Sequence, residues 1–155
     1  MIQRIQSVYL FLTTLFSLLF LKGDLLSFIN KSGITISAGI YGIRSESGIN
    51  SINQVGSILP LSLVLVIVPL LSFVIIFIYN KRKVQILLVR VLLGLIAASI
   101  VLSGIYTFNI QMVYNVVLVP GFRMFIPVVQ LILTYLAYRG IRKDDNLIKS
   151  YDRLR

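Results

Sequence analysis
The side chains that could do chemistry are few in this chain, which has five acidic residues and neither cysteine nor histidine. Asp24 and Glu46 fall in one polar stretch and Asp144, Asp145 and Asp152 in another, so no carboxylate lies inside a long apolar run. Ion-coupled carriers generally need a protonatable or ion-binding group at membrane depth, and small four-helix drug exporters use an embedded carboxylate. Intramembrane proteolysis needs a nucleophile with a general base, or paired carboxylates. Without cysteine or histidine there are no disulfides, no thiol redox chemistry, no imidazole-held haem and none of the usual zinc or copper sites. The expectation is a protein that is not an enzyme and carries no metal or cofactor.

The basic residues are more numerous: Lys and Arg total 15, for a formal charge of +10. With 57% hydrophobic residues and a mean hydropathy of +0.94, the chain has more apolar surface than a water-soluble domain of this size could bury. An integral membrane protein is expected. Lys and Arg sit beside apolar runs, where anionic headgroups and the positive-inside bias account for them, so nucleic acid is not an expected partner.

The elements that would position these residues are four apolar spans, at about 5–22, 58–79, 86–108 and 121–139, in a single membrane domain covering 1–155. The first follows Arg4 and fits either a signal peptide or an uncleaved anchor; Leu21-Lys22-Gly23-Asp24 lacks an Ala-x-Ala-like cleavage site, which favours the anchor. Leu25, Leu26, Phe28 and Ile29 are placed to continue that helix into the interface. The second span carries Pro69, where a kink is expected. Short connections at 80–83 and 109–121 make spans two, three and four antiparallel neighbours. The loop at 30–56 alternates in Ile34-Thr35-Ile36-Ser37-Ala38 and suggests a short hairpin. The fold class is therefore an all-α four-helix transmembrane bundle with one outer loop.

Charge sets the orientation. One face receives Arg4, Lys81, Arg82, Lys83, Arg139, Arg142, Lys143, Lys149, Arg153 and Arg155; the other receives Lys22, Lys31 and Arg44, with Arg123 at its border. The basic face should be cytoplasmic, with both termini on that side and the 30–56 loop outside the cytoplasm. Arg90 lies inside the third span and can snorkel to the inner interface or serve a binding role. Arg123 suits an interfacial anchor with Asp24 or Glu46 within reach. Gly94, Ala97, Ala98 and Gly104 form a stripe of small residues expected at a helix contact, and Gln130 is an expected interhelical tie. After Tyr138, the residues Leu147, Ile148, Tyr151 and Leu154 recur at helical spacing, so 140–155 reads as an amphipathic cytoplasmic helix.

Three segments together resemble a known family: Met1-Ile2-Gln3-Arg4-Ile5-Gln6, Asn80-Lys81-Arg82-Lys83-Val84-Gln85 leading to Arg90, and Arg139-Gly140-Ile141-Arg142-Lys143-Asp144 through Asp152-Arg153-Leu154-Arg155. The chain is similar over its whole length to an uncharacterised family of four-helix membrane proteins of Bacteroidota, a domain of unknown function (DUF4293). The resemblance implies four spans in the inner membrane and brings no activity or catalytic residue. All three segments map to the basic face. The functional expectation is an accessory or scaffold subunit presenting that face to a membrane-protein partner or to anionic lipid. The alternative is a small transporter or lipid-binding protein using the space around Pro69, Gln130 and the arginines.

Overall fold
The computed structural model describes residues 3–29, 35–40, 42–47, 51–56, 58–79 and 81–153. Four helices, α1 (Gln3–Leu21), α2 (Leu59–Phe77), α3 (Arg82–Tyr114) and α4 (Ile126–Arg153), form a bundle in which each packs on its sequence neighbour and α1 closes on α4. By length and composition three segments can cross a membrane: Leu59–Phe77, Arg82–Val113 and Phe122–Leu147; the apolar part of α1, Ile5–Leu21, is shorter. At about 1.5 Å per residue, α2 matches a hydrocarbon thickness of roughly 30 Å, while α3 and α4 outrun it. Because α3 and α4 are antiparallel, the excess of α3 emerges at one end of the bundle and that of α4 at the other.

A sheet covers the first of those ends, which corrects the all-α expectation. Strands β1 (Leu26–Ile29), β2 (Thr35–Gly39), β3 (Gly42–Ser47), β4 (Ser51–Gly56) and β5 (Val117–Val119) are antiparallel in the order β4-β3-β2-β1-β5. The expected hairpin is present as β2 with β3, closed where Gly39 pairs with Gly42, whose φ of 121° only glycine adopts readily. Leu25 to Ile29 do not extend α1. Leu26 and Phe28 alternate with exposed Ser27 and Ile29, so the apolar pattern has period two and lays one face of β1 on the bundle. Phe28 is 0% exposed, in a core that joins the sheet to Phe20 of α1, Leu61 and Leu65 of α2 and Ile110 of α3. Ser62 of α2 donates to the Ile40 carbonyl at 2.6 Å, fixing the hairpin to the helix. The parts of the expected loop at 30–34, 41 and 48–50 lie outside the described residues.

Two boundaries also differ from the sequence reading. The third helix continues to Tyr114, beyond 108, and ends at Asn115 in the left-handed conformation that asparagine tolerates. The tail is no separate helix: α4 runs unbroken from Ile126 through Gly140 to Arg153, after a 3-10 turn at Phe122–Phe125.

The bundle is inverted relative to a water-soluble one. Leu59, Leu63, Leu70, Leu87, Val101 and Phe108 are each at least 60% exposed, while Thr13, Thr14, Ser17, Ser72, Ser99, Gln130 and Thr134 are buried. So extensive an apolar exterior is the surface that hydrocarbon covers. The small residues of α3 follow the same logic against expectation: Gly94, Ala97 and Gly104 are exposed and Ala98 is half-buried. A Cβ at Gly94 or Gly104 would meet nothing within 4 Å, so among the described residues no helix approaches closely at either glycine. Gly94→Leu should therefore leave the melting temperature in detergent unchanged or raise it, since a glycine inside a helix costs about 1 kcal/mol relative to alanine. A marked fall in melting temperature would contradict the outward placement.

Candidate functional site
The end of the bundle away from the sheet gathers the three family-like segments around one buried polar cluster. Gln6 comes from the first turn of α1, Arg82 and Gln85 from the first turn of α3, and Gly140 and Asp144 from α4. The Gln6 Nε2 amide donates to Asp144 Oδ2 at 2.6 Å, and both residues are buried, at 6% and 9% exposure. Arg82 Nη1 donates to the Asp144 backbone carbonyl at 3.4 Å. Gln85 reaches the Ile75 carbonyl at 3.5 Å, a long contact that leans α3 toward the end of α2.

Gly140 is required sterically here. A Cβ would stand 2.9 Å from Cγ of Gln6, so the glycine leaves the space in which that side chain crosses to Asp144. A cavity of about 320 Å³ opens beside the pair, lined also by Ser7, Ile76, Tyr79 and Ile141. A lone carboxylate already bonded to an amide, with a guanidinium on the adjoining carbonyl, is suited to holding α1, α3 and α4 in register. Burying that carboxylate is tolerable because it is hydrogen-bonded and Arg82 lines the same cavity.

Deeper in the bundle the ties are neutral. Thr14 Oγ1 and Ser72 Oγ lie 2.8 Å apart between α1 and α2, while Thr14 also donates to the Leu10 carbonyl and Ser72 to that of Pro69. Each hydroxyl has one proton, so two of these three bonds form at any instant. Gln130 Nε2 donates to Ser17 Oγ at 3.2 Å, joining α4 to α1. Among the described residues no buried side-chain nitrogen or oxygen lacks a partner.

The basic residues named from sequence divide between two places. Arg82 belongs to the buried cluster, whereas Lys83, Arg90, Arg139, Arg142 and Lys143 lie on or between the outer faces of α3 and α4, and Lys81 caps the start of α3. Arg90 stacks on Tyr138, with its guanidinium carbon 5.6 Å from the ring centroid. Arg4, Lys149 and Arg153 are placed as backbone in α1 and α4, and Arg155 lies outside the described residues. Arg123 is at the sheet end, its guanidinium filling the space above Gly23 where a Cβ would sit, beside Asp24. Gln6, Gln85 and Asp144 were missed as site residues because Asp144 reads as part of a solvated charged tail. The available signal was the three family-like segments, each of which contributes a residue to the cluster.

An apolar-walled four-helix bundle with a small sheet at one end and a buried polar tie at the other defines the class. The chain belongs to the family described as Domain of unknown function (DUF4293), whose model matches residues 2–154. No curated protein and no solved structure matches it.

Proposed function
We propose that this protein is an inner-membrane accessory or scaffold subunit without catalytic activity of its own. It crosses the bilayer four times with both termini in the cytoplasm and presents the basic end of α3 and α4 to a membrane-protein partner. The observation that supports this most is the continuity of α4. The helix that packs on α1 and α3 is also the helix on which Arg139, Arg142 and Lys143 are exposed, and its backbone continues through Lys149 to Arg153. The tie at Asp144 falls at its midpoint of emergence, so the projecting part is held at a fixed angle and rotation. A rigidly held helix presents its residues in a defined pattern, which recognition of a protein needs and general attraction to charge does not.

Transport has less support. Gln130 is engaged with Ser17 and the Pro69 carbonyl with Ser72, so the polar groups near the middle of the bundle serve helix contacts.

The test preserves charge and composition while changing pattern. Exchanging Asp145 with Lys149 and Asp152 with Arg153 should reduce recovery of a stoichiometric partner from native membranes at least tenfold, the equivalent of about 1.4 kcal/mol. Undiminished recovery after both exchanges would remove the docking role and leave surface anchoring.

A further inference from the structure
Beside the buried cluster, and sharing none of its residues, two cavities open on the outward surface of α3 and α4. One, of about 420 Å³, lies between the helices with Lys83, Arg90 and Arg142 on its walls. The other, of about 550 Å³, runs along α4 past Tyr138, Arg139 and Lys143, and the two meet at Arg142 and Asn146. The two hold five basic residues against one carboxylate, Asp145. We propose that this groove binds an anionic glycerophospholipid, its phosphate held by Lys83, Arg90 and Arg142 and an acyl chain lying along the outer face of α3. The inference rests on the membrane placement proposed above and names a ligand for the basic end.

Three features select a lipid over a soluble anion. First, the cations are staggered in depth. Lys83 and Arg90 are seven positions apart, about 10 Å along the helix, so one charge stands at the polar boundary and the other close to the hydrocarbon. A soluble phosphate ester has no use for the deeper position, whereas a lipid phosphate sits next to it. Second, Arg90 is exposed yet held by the Tyr138 ring, so its guanidinium is oriented before any ligand arrives. Third, the face of α3 below Arg90 is apolar and recessed. Gly94, Ala97 and Val101 follow one another at helical spacing and are all exposed, and nothing lies within 4 Å of a Cβ built at Gly94. That strip offers an acyl chain an apolar path leading away from the charged groove. Basic pockets between transmembrane helices at the cytoplasmic side are a recurrent way of holding anionic headgroups.

The experiment titrates full-length protein, purified in mild detergent, with dioleoylphosphatidylglycerol, dioleoylphosphatidylcholine and glycerol 3-phosphate, and counts bound molecules by native mass spectrometry. Phosphatidylglycerol should be retained over phosphatidylcholine, and glycerol 3-phosphate should bind far more weakly than either lipid. Arg90→Gln and Arg142→Gln should each weaken phosphatidylglycerol binding about fivefold, the worth of one basic residue near an anionic surface, while Lys81→Gln changes it less than twofold. Gly94→Leu should weaken it without changing charge. Both arginines are exposed, so the variants should keep the parent melting temperature, which is measured alongside. Equal retention of both lipids, indifference to the two arginines, or binding of glycerol 3-phosphate as tight as that of lipid would overturn the proposal. Each of those results leaves the scaffold reading standing, because partner recovery is measured separately; a chain that stays dispersed without detergent would instead refute the membrane placement beneath both.

Discussion

Asp144→Ala will destabilise the bundle by about 1–3 kcal/mol, the cost of leaving a buried polar group without its partner. The stranded group is the Gln6 amide, which is 6% exposed and donates to Asp144 Oδ2 at 2.6 Å. Thermal unfolding in detergent reads the loss. Asp144→Asn keeps an acceptor of nearly the same shape and should recover most of the stability, losing only the added strength of a charged acceptor. Gln6→Leu combined with Asp144→Ala should cost less than the sum of the two single changes, because the double variant has neither a stranded amide nor a stranded carboxylate. Gly140→Val approaches the same contact from the α4 backbone and should act in the same direction, since even its Cβ would crowd Gln6. If Asp144→Ala melts with the parent protein, the pair does not hold α1 to α4 and the fixed presentation of the basic helix loses its physical basis.

The parts of this fold that were legible in sequence are those where one element carries its own pattern. The second to fourth helices are long apolar runs bounded by charge or glycine, and β2 alternates at period two within Thr35–Gly39. The parts that were not legible depend on distant partners. Val117–Val119 is too short to show a period and becomes β5 only because Phe28 and its neighbours lie alongside. Leu25 to Ile29 follow the apolar helix after only Lys22, Gly23 and Asp24, and five residues are too few for local composition to distinguish more helix from the buried strand that β1 is. Gly140 reads as the end of a span, yet α4 continues through it because the glycine answers a steric demand of Gln6 and not a backbone one.

The site was legible in a different way. The segments ending at Gln6, Gln85 and Asp144 pointed to the correct end of the bundle, but the pairing of Gln6 with Asp144 spans 138 positions and no spacing rule connects them. Gly94, Ala97 and Gly104 illustrate the converse error. Small residues at helical spacing permit close packing without requiring it, and here Gly94, Ala97 and Gly104 are exposed.

In the proposed arrangement the basic end and the sheet end lie on opposite sides of one bilayer, with the basic end in the cytoplasm. The natural chain has no cysteine, so a single introduced thiol reports its own side. Ser27→Cys places one on the exposed face of β1 and Asn146→Cys places one on the exposed surface of α4. In intact bacterial spheroplasts, a membrane-impermeant maleimide should label the Ser27→Cys protein fully and the Asn146→Cys protein only after permeabilisation. Labelling of Asn146→Cys in intact spheroplasts, with Ser27→Cys protected until lysis, would reverse the orientation and contradict the cytoplasmic presentation on which the proposed function rests.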